Sequence, residues 1–420
     1  MLAALPKAPS AINPITDPPR ARERRDYVLR RMLEEQYITA AEYQAAIDTE
    51  LSAFHHGPAV EIEAPYVAEM ARRWAVGELG ADAYESGYRI TTTIDRQRQA
   101  AANQALRAGL VAYDHRHGWR GPEAEVEFTA DSTRQQWDEW LANYRTIAGH
   151  TPGLVTEADE AIALVYLKGG QTIPLDLAAM DWARPFKSRD AVGPAPEQVA
   201  EVLQPGDIVR VRRGPAGEWE LAQIPEVQGA LISLEPDTGA IQALVGGWSF
   251  EQSKFNRVTQ ARRQPGSGFK PFIYATALAH GYTPASIVND APLVYQNEAV
   301  AESWKPHNFS QRFYGPTRLR EGMVHSRNLV SVRLLADLGV GNARDYITRF
   351  GFRREALPDN LSMALGSASL TPLSIARGYA VFANGGFRVE PYWLQTVHDQ
   401  RQRLLYARTR TQRCETCPAL

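Results

Sequence analysis

The sequence predicts a multidomain α+β protein, and three observations support this. Its 420 residues are more than one ordinary hydrophobic core accommodates, so we expect two or three domains. Short β-prone runs separated by glycine-rich turns fill residues 123–225, which predicts a small barrel of the OB type. From residue 226 a β-hairpin is followed by segments of helical periodicity, which predicts a larger mixed domain.

The composition excludes several functional classes. The net charge is −2, with 22% charged and 44% hydrophobic residues, values that do not indicate a nucleic-acid-binding protein. No run approaches the ~18–20 apolar residues of a membrane span, and no basic-then-apolar signal sequence opens the chain. We therefore expect no nucleic-acid partner and no signal or transmembrane segment in this chain.

Residues 1–50 carry two predicted helices after a turn-rich loop at 5–10. The first helix spans about 20–35, and Thr39 and Glu42 fit a capping box that opens the second. The side chains expected to pack inward are Tyr27, Val28, Met32 and Leu33 in the first helix, and Tyr43, Ile47 and the alanines in the second. Two short helices without partners do not make a domain, so we interpret this stretch as the end of one.

Residues 51–122 are predicted to form a helical linker with some strand structure. An apolar stripe at helical spacing indicates packing, and it consists of Tyr66, Met70 and Trp74. Residues 88–94 alternate as a strand does. Asp95 is then expected to cap a helix that continues to about Tyr113.

Periodicity and turn residues predict the elements of the two following domains. Strands of the OB-like domain are expected at 154–157, 161–167, 172–175, 208–212 and 219–224. Helices of the last domain are expected at 269–280, 318–325, 329–338, 340–350 and 371–383. The hairpin at 229–245 is apolar on both faces, which predicts a central place in a covered sheet. Few further strands are evident, so we expect its edges to be unpaired and prone to aggregation.

Ser267 and Lys270 form the one S-x-x-K pattern of the chain, within R-Q-P-G-S-G-F-K-P-F at 263–272. Residues three apart share a face of a helix, so the hydroxyl and the amine can act as nucleophile and proton acceptor. A lysine becomes a base only where burial or a nearby cation lowers its pKa, so this function requires a closed site. The alternative is a plain helix N-terminus, with Ser267 as the capping residue and Lys270 in solvent.

Eight sequence blocks surround this pair in a fixed order. They lie at residues 255–257, 263–272, 289–292, 304–309, 314–320, 325–328, 365–367 and 379–386. This order resembles the transpeptidase domain of class A (bifunctional) penicillin-binding proteins of the 1A type, whose fold is that of the serine β-lactamases. By the resemblance, residues 1–50 correspond to a C-terminal remnant of the glycosyltransferase domain, 51–122 to the linker, 123–225 to the OB-like domain and 226–420 to the N-terminal part of the transpeptidase domain.

The resemblance implies that the enzyme cross-links peptidoglycan. Ser267 would attack the penultimate D-alanine of a stem peptide, release the terminal D-alanine and pass the acyl group to a second peptide's amine. Lys270 would accept the serine proton, although the base in S-x-x-K enzymes is disputed. Stem peptides, lipid-linked glycan strands, β-lactams and accessory cell-wall proteins are the implied partners, and no cofactor or metal is implied. The parent protein would be anchored at the periplasmic face of the bacterial inner membrane.

Ser326 and Asn328 match the family's second box, S-x-N, 59 residues after Ser267. By the resemblance, Ser326 would relay a proton between Lys270 and the leaving amine, and the Asn328 amide would hold either the substrate backbone or the lysine. Taken alone, these two residues equally suit the end of a helix.

Two parts of the family pattern are missing from the sequence. The third box, K-T-G or K-S-G, follows the second in the family, but no lysine follows Lys305 here, and the Lys-Gly-Gly at 168–170 precedes Ser267. That box would supply a cation for the substrate carboxylate and one oxyanion donor beside the Ser267 N–H, so we expect this chain alone to be inactive. The family's membrane anchor and catalytic glutamate are also missing, so we interpret the chain as an internal segment of a longer enzyme.

Cys414 and Cys417 are the only cysteines and form a single C-x-x-C. One such pair offers two metal ligands where a structural zinc needs four. The sequence favours a local disulfide or no role over metal binding or redox chemistry.

Two other functions stay open at this point. A β-lactamase or D,D-carboxypeptidase would use the same serine and hydrolyse the acyl-enzyme, although simple hydrolases of that group lack the linker and the barrel. A non-enzymatic scaffold would bind a partner through its OB-like domain and would tolerate replacement of Lys270 and Ser326.

Overall fold

The computed structural model describes residues 12–15, 17–49, 51, 53, 60–129, 131–296 and 303–409. The loop at 5–10 and both cysteines, Cys414 and Cys417, lie outside these residues. The chain divides into two compact units, Met1–Glu61 and Ile62–Leu420. In the described part of the chain, no helix combines the length and the apolar character that crossing a membrane requires.

The first unit contains helices α1 (Pro18–Glu34) and α2 (Ala40–Asp48). The capping box of Thr39 and Glu42 is confirmed at the start of α2. The expected inward-facing side chains are confirmed only in part: Tyr27 and most alanines of α2 are exposed, whereas Val28, Met32, Leu33, Tyr43 and Ile47 are half-buried. Arg25 also joins the two helices, because its guanidinium donates to the backbone oxygens of Ile47 and Thr49 at the negative end of α2.

The second unit begins with helix α3 (Pro65–Leu79), strand β1 (Arg89–Thr92) and helix α4 (Arg96–His117). The Asp95 side chain accepts from the Arg98 N–H, which confirms the predicted cap, and α4 extends one turn beyond Tyr113. The packing prediction for the apolar stripe is confirmed for Tyr66, which is 3% exposed and contacts Phe250 edge to face.

A six-stranded antiparallel sheet forms the OB-like region. Its strands are β2 (Ala124–Glu125), β3 (Thr151–Ala158), β4 (Ile162–Leu167), β5 (Gln171–Asp176), β8 (Asp207–Arg213) and β9 (Trp219–Ala222). The same region contains helix α5 (Arg134–Trp140) and a separate hairpin of β6 (Phe186–Ser188) and β7 (Ala191–Val192). The order is β2-β8-β3-β4-β5, with β9 beside β8. All five predicted strands are confirmed, whereas the short β2, β6 and β7 were missed. Alternate residues of β3, β4 and β8 fill the core, including Val155, Val165 and Val209.

The predicted hairpin consists of β10 (Leu231–Leu234) and β11 (Ile241–Val245). In the described residues these strands pair only with each other, so the central position in a covered sheet is wrong, and β10 is only half-buried. The prediction also missed two strands near the end of the chain. Strand β16 (Leu394–His398) pairs with β1 and with β17 (Leu404–Ala407). The Ile241 N–H donates to the Tyr392 carbonyl, and the Tyr392 N–H donates to the Gly239 carbonyl, so the segment before β16 is bonded to the start of β11.

The rest of the second unit is mainly helical. It contains α6 (Lys270–Ala279), α7 (Leu319–Val324), α8 (Asn328–Leu338), α9 (Val340–Ile347) and α10 (Pro372–Ala383), with the short strands β12 (Ile287–Asp290), β13 (Tyr295–Gln296), β14 (Ser303–Trp304) and β15 (Gly315–Arg318). All five predicted helices are confirmed. Phe269 and Phe272 of the α6 region are fully buried in one core with Val332 and Leu335 of α8. This core fixes α6 against α8, the two helices on which the candidate site stands.

Candidate active site

Ser267 lies in a short 3₁₀ helix, Gly266–Phe269, that leads directly into α6. The Lys270 N–H donates to the Ser267 carbonyl, which places the two residues one turn apart, as their spacing predicts. The capping alternative is wrong, because the residue before α6 is Phe269 and no side chain caps this helix. Ser267 is exposed, and its hydroxyl forms no hydrogen bond within the described part of the chain.

Lys270 is buried and fully hydrogen-bonded. Its side chain is 1% exposed, and Nζ donates to the Ser326 carbonyl at 2.6 Å, the Ser326 Oγ at 2.9 Å and the Asn328 Oδ1 at 2.7 Å. Burial lowers the pKa of Lys270 from 10.5 to about 8, because the charged amine has lost water. This shift brings the neutral form of the amine, the form that can accept a proton, closer to neutral pH.

Ser326 occupies the turn between α7 and α8 in a left-handed conformation. Its φ is +52°, which is uncommon for a residue with a Cβ and is maintained only where the surroundings are rigid. In this conformation both its carbonyl and its hydroxyl face Lys270. The strained backbone of Ser326 therefore occurs at the residue that makes two of the three hydrogen bonds to the Lys270 amine.

Asn328 is the first residue of α8, and both ends of its side chain are engaged by protein atoms. Nδ2 donates to the His307 carbonyl at 2.8 Å, which leaves Oδ1 to accept from Lys270. The structure therefore brings all four predicted site residues, Ser267, Lys270, Ser326 and Asn328, to one place. Of the two predicted contacts for the Asn328 amide, the one with the lysine is present.

Four residues around this site were not predicted from the sequence. Asn308 accepts from the backbone N–H groups of Asn328 and Leu329, and it donates to the buried carboxylate of Asp290. The Tyr379 hydroxyl donates to the Gly268 carbonyl at 2.7 Å and so holds the serine turn. The only sequence signal for these residues was their position within the blocks that carry the family resemblance.

Gly366 is the fourth, and its backbone touches that of Gly266. The Gly266 N–H donates to the Gly366 carbonyl at 3.2 Å, and a Cβ at position 366 would overlap the Gly266 backbone. Its φ of +73° also favours glycine. Two further backbone bonds join Arg263 and Leu370, so the segment after Gly366 lies along the segment that leads to Ser267.

The arrangement is chemically suited to transferring a proton. The Ser326 carbonyl and the Asn328 Oδ1 can only accept hydrogen bonds, whereas the Ser326 hydroxyl can also donate. When Lys270 is neutral, the amine can therefore direct its lone pair to the Ser326 hydroxyl. Among the described residues, no group of three His, Cys, Asp or Glu side chains is arranged to hold a metal ion.

Two protein-family models match the chain. Residues 119–227 match the penicillin-binding protein OB-like domain, and residues 229–415 match the penicillin-binding protein transpeptidase domain. The chain belongs to the penicillin-binding protein family. The observed OB-like region followed by the α6–α8 site corresponds to these two domains in the same order.

Individual members of the family are similar over almost the whole chain. Penicillin-binding protein 1A of Pseudomonas aeruginosa is 47% identical over 406 residues, which cover 97% of this chain and 49% of that protein. Penicillin-binding protein 1A of Escherichia coli is 42% identical, with 99% and 49% covered. The crystal structure of Penicillin-Binding Protein 1A from Haemophilus influenzae superposes with a TM-score of 0.81 at 37% identity, covering 99% of this chain and 60% of that one. The chain thus spans about half the length of the curated relatives that it matches.

Proposed function

We propose that the chain carries the acylating half of a D,D-transpeptidase site that cross-links peptidoglycan. The observation that supports this most strongly is the Lys270 amine, buried between α6 and α8 with a lowered pKa and one turn from the exposed Ser267 hydroxyl. An exposed serine hydroxyl one turn from an amine with a lowered pKa is a pairing of nucleophile and base suited to serine acyl transfer.

In this function the Ser267 oxygen attacks the carbonyl carbon of the penultimate D-alanine, and Lys270 accepts the hydroxyl proton. Collapse of the tetrahedral intermediate breaks the peptide C–N bond, and the leaving amine of the terminal D-alanine receives the proton through Ser326. The acyl-enzyme then reacts with the amine of a second stem peptide, which restores the Ser267 hydroxyl. A β-lactam acylates the same oxygen by opening its own amide bond, so no separate leaving group departs.

The oxyanion of this intermediate needs hydrogen-bond donors. The Ser267 backbone N–H is one donor. In the family pattern the other donor belongs to the third box, K-T-G or K-S-G, and these 420 residues contain no such box because no lysine follows Lys305. Loss of one such donor commonly lowers the rate about 10² to 10³-fold. We therefore propose that the 420 residues by themselves acylate slowly and do not cross-link peptidoglycan.

The whole protein, by analogy with the bifunctional class A enzymes, would also polymerise glycan strands from lipid-linked precursors. It would be anchored in the bacterial inner membrane with this domain in the periplasm, where stem peptides, β-lactams and accessory cell-wall proteins meet it. The remaining boundaries, 1–50 as a glycosyltransferase remnant and 51–122 as a linker, belong to the same proposal.

Neither alternative function is favoured by a particular observation. A hydrolase would share the Ser267 and Lys270 chemistry, but nothing in the described site is arranged to activate a deacylating water. A non-enzymatic scaffold would not need a buried Lys270 amine with three hydrogen-bond acceptors, or a Ser326 with a strained backbone.

Labelling with a fluorescent penicillin tests the proposal. The purified chain and a Ser267→Ala control are incubated with the reagent and followed over time. We expect slow labelling of the wild type and none of the control. Equal labelling of both would contradict Ser267 as the nucleophile, and rapid labelling of the wild type would contradict the incomplete oxyanion site.

A further inference from the structure

Asp290, at the end of β12, is a fully buried carboxylate with a single side-chain partner. It is 0% exposed, and in the described part of the chain its hydrogen bonds come from the Asn308 Nδ2, at 2.7 and 3.0 Å. Asn308 is itself 2% exposed. A buried carboxylate is costly unless it is hydrogen-bonded, so removal of either partner leaves the other unsatisfied.

The orientation of the Asn308 side-chain amide follows from which of its partners donate and which accept hydrogen bonds. A carboxylate can only accept, so Asn308 must turn its NH₂ group toward Asp290 and toward the Arg312 carbonyl, 2.9 Å away. Its oxygen then faces the opposite way and accepts from the backbone N–H groups of Asn328 at 2.9 Å and Leu329 at 3.3 Å. Asp290, together with the Arg312 carbonyl, thereby sets which atom of Asn308 meets α8.

Those two N–H groups lie in the first turn of α8, where backbone donors have no acceptor within the helix. Arg327, the residue before the helix, provides no side-chain cap. Asn308 supplies the cap from a different segment of the chain, 20 residues earlier. The neighbouring His307 carbonyl holds the Asn328 Nδ2, so residues 307 and 308 fix both the backbone and the side chain of Asn328.

We propose that Asp290 and Asn308 are positioning residues of the acylation site: Asp290 orients the Asn308 amide, which fixes the first turn of α8 and so places Asn328 and Ser326 against the Lys270 amine. This inference rests on the proposed function only for its consequence in acylation. The contacts themselves have consequences that are measurable without a reaction.

Three substitutions and one control separate positioning from general stability. Asn308→Ala removes the cap, Asp290→Leu removes the group that orients it, and Asp290→Asn retains an acceptor of the same shape. Asn384→Ala is the matched control, because Asn384 is a buried asparagine that donates to the Pro236 and Phe387 carbonyls and accepts from the Phe387 N–H.

The first measurement is amide hydrogen exchange in a peptide that covers residues 326–332. We expect exchange to accelerate about fivefold to tenfold in Asn308→Ala and Asp290→Leu, the effect of losing a helix cap. Asp290→Asn and Asn384→Ala are expected to match the wild type in this peptide.

The second measurement is trace acetylation of the lysines with acetic anhydride across a range of pH, with the exposed Lys254 as internal reference. A protonated amine needs three acceptors and a neutral amine two, so displacement of Asn328 or Ser326 lowers the pKa at which Lys270 becomes reactive. We expect this lower titration in Asn308→Ala and Asp290→Leu, and a titration close to the wild type in Asp290→Asn and Asn384→Ala.

Both changes together support the proposal. Faster exchange with an unchanged Lys270 titration would overturn it, because the pair would then only stabilise the helix, and unchanged exchange would overturn it as well. A wild-type chain that penicillin does not acylate at Ser267 would contradict the proposed function and leave both of these measurements valid.

Discussion

The Nζ atom of Lys270 lies 2.9 Å from the Oγ atom of Ser326, although 56 residues separate them in the chain. The contact joins the first residue of α6 to the turn before α8. Among the described groups that accept from the amine, the Ser326 hydroxyl is the one that can also donate a proton.

Replacement of Ser326 by alanine tests that relay. Loss of a proton-transfer group commonly lowers a rate about 10² to 10⁴-fold, so we expect Ser267 acylation to fall by at least the lower factor. The Ser326 carbonyl and the Asn328 contact with Lys270 are retained in this variant. Acylation kinetics by mass spectrometry provide the measurement, and a rate within threefold of the wild type would exclude Ser326 from the proton path.

Lys270 should make folding stability depend on pH. Its folded pKa of about 8 lies below the 10.5 of an exposed lysine, so the unfolded chain binds more protons between these values. We expect the free energy of unfolding to rise with pH in this window, on the order of 2 kcal/mol, relative to a Lys270→Met variant. Urea denaturation of both proteins at several pH values measures the difference, and parallel curves would contradict the lowered pKa.

Gly366→Ala should distort the serine turn. The new Cβ overlaps the Gly266 backbone and the residue must retain a positive φ, so we expect a loss of about 3 kcal/mol or more in unfolding free energy. Gly281→Ala is the control, because Gly281 also has a positive φ but its Cβ would meet open space. We expect about 1 kcal/mol for that variant. Equal losses in the two variants would show that the approach of Gly366 to Gly266 is not required.

Tyr379→Phe should destabilise the turn that carries Ser267 less than Gly366→Ala does. The variant loses the hydrogen bond to the Gly268 carbonyl and retains the edge-to-face contact with Phe272. We expect about 1 kcal/mol of lost stability and a severalfold slower acylation of Ser267. An unchanged acylation rate would mean that Phe269 and Phe272 hold the turn without the tyrosine.

The OB-like domain is predicted to fold independently within residues 123–225. Its sheet has its own core, which includes Val155, Leu175 and Val209. Limited proteolysis should therefore leave a protected fragment within this range, identified by mass spectrometry. A digest without such a fragment would place the boundary elsewhere.

Local patterns in the sequence predicted what depends on local interactions. The S-x-x-K spacing placed Lys270 one turn from Ser267, and helical periodicity predicted α6 to α10. Periodicity does not reveal whether a partner covers an apolar face, and Tyr27, which was predicted to face inward, is exposed.

Long-range contacts were beyond the sequence. The pairing of β1 with β16 joins strands about 300 residues apart, and no local pattern encodes a partner at that separation. The hydrogen bonds of Asn308 to Asp290 and to α8 could not be predicted either, because no local pattern indicates partners 18 and 20 residues away. Motif order brought Ser326 and Asn328 to the site, but only the structure shows which of their atoms meet Lys270.

The pH dependence of acylation at Ser267 tests the central claim most directly. The wild-type chain and Lys270→Met are exposed to penicillin at a series of pH values, and the adduct on the peptide that contains Ser267 is quantified over time. We predict a wild-type rate that rises about tenfold per pH unit and levels off near pH 8, and a Lys270→Met rate that is at least about 10²-fold lower. A pH-independent wild-type rate, or an adduct on another residue, would contradict the assignment of Lys270 as the base and Ser267 as the nucleophile.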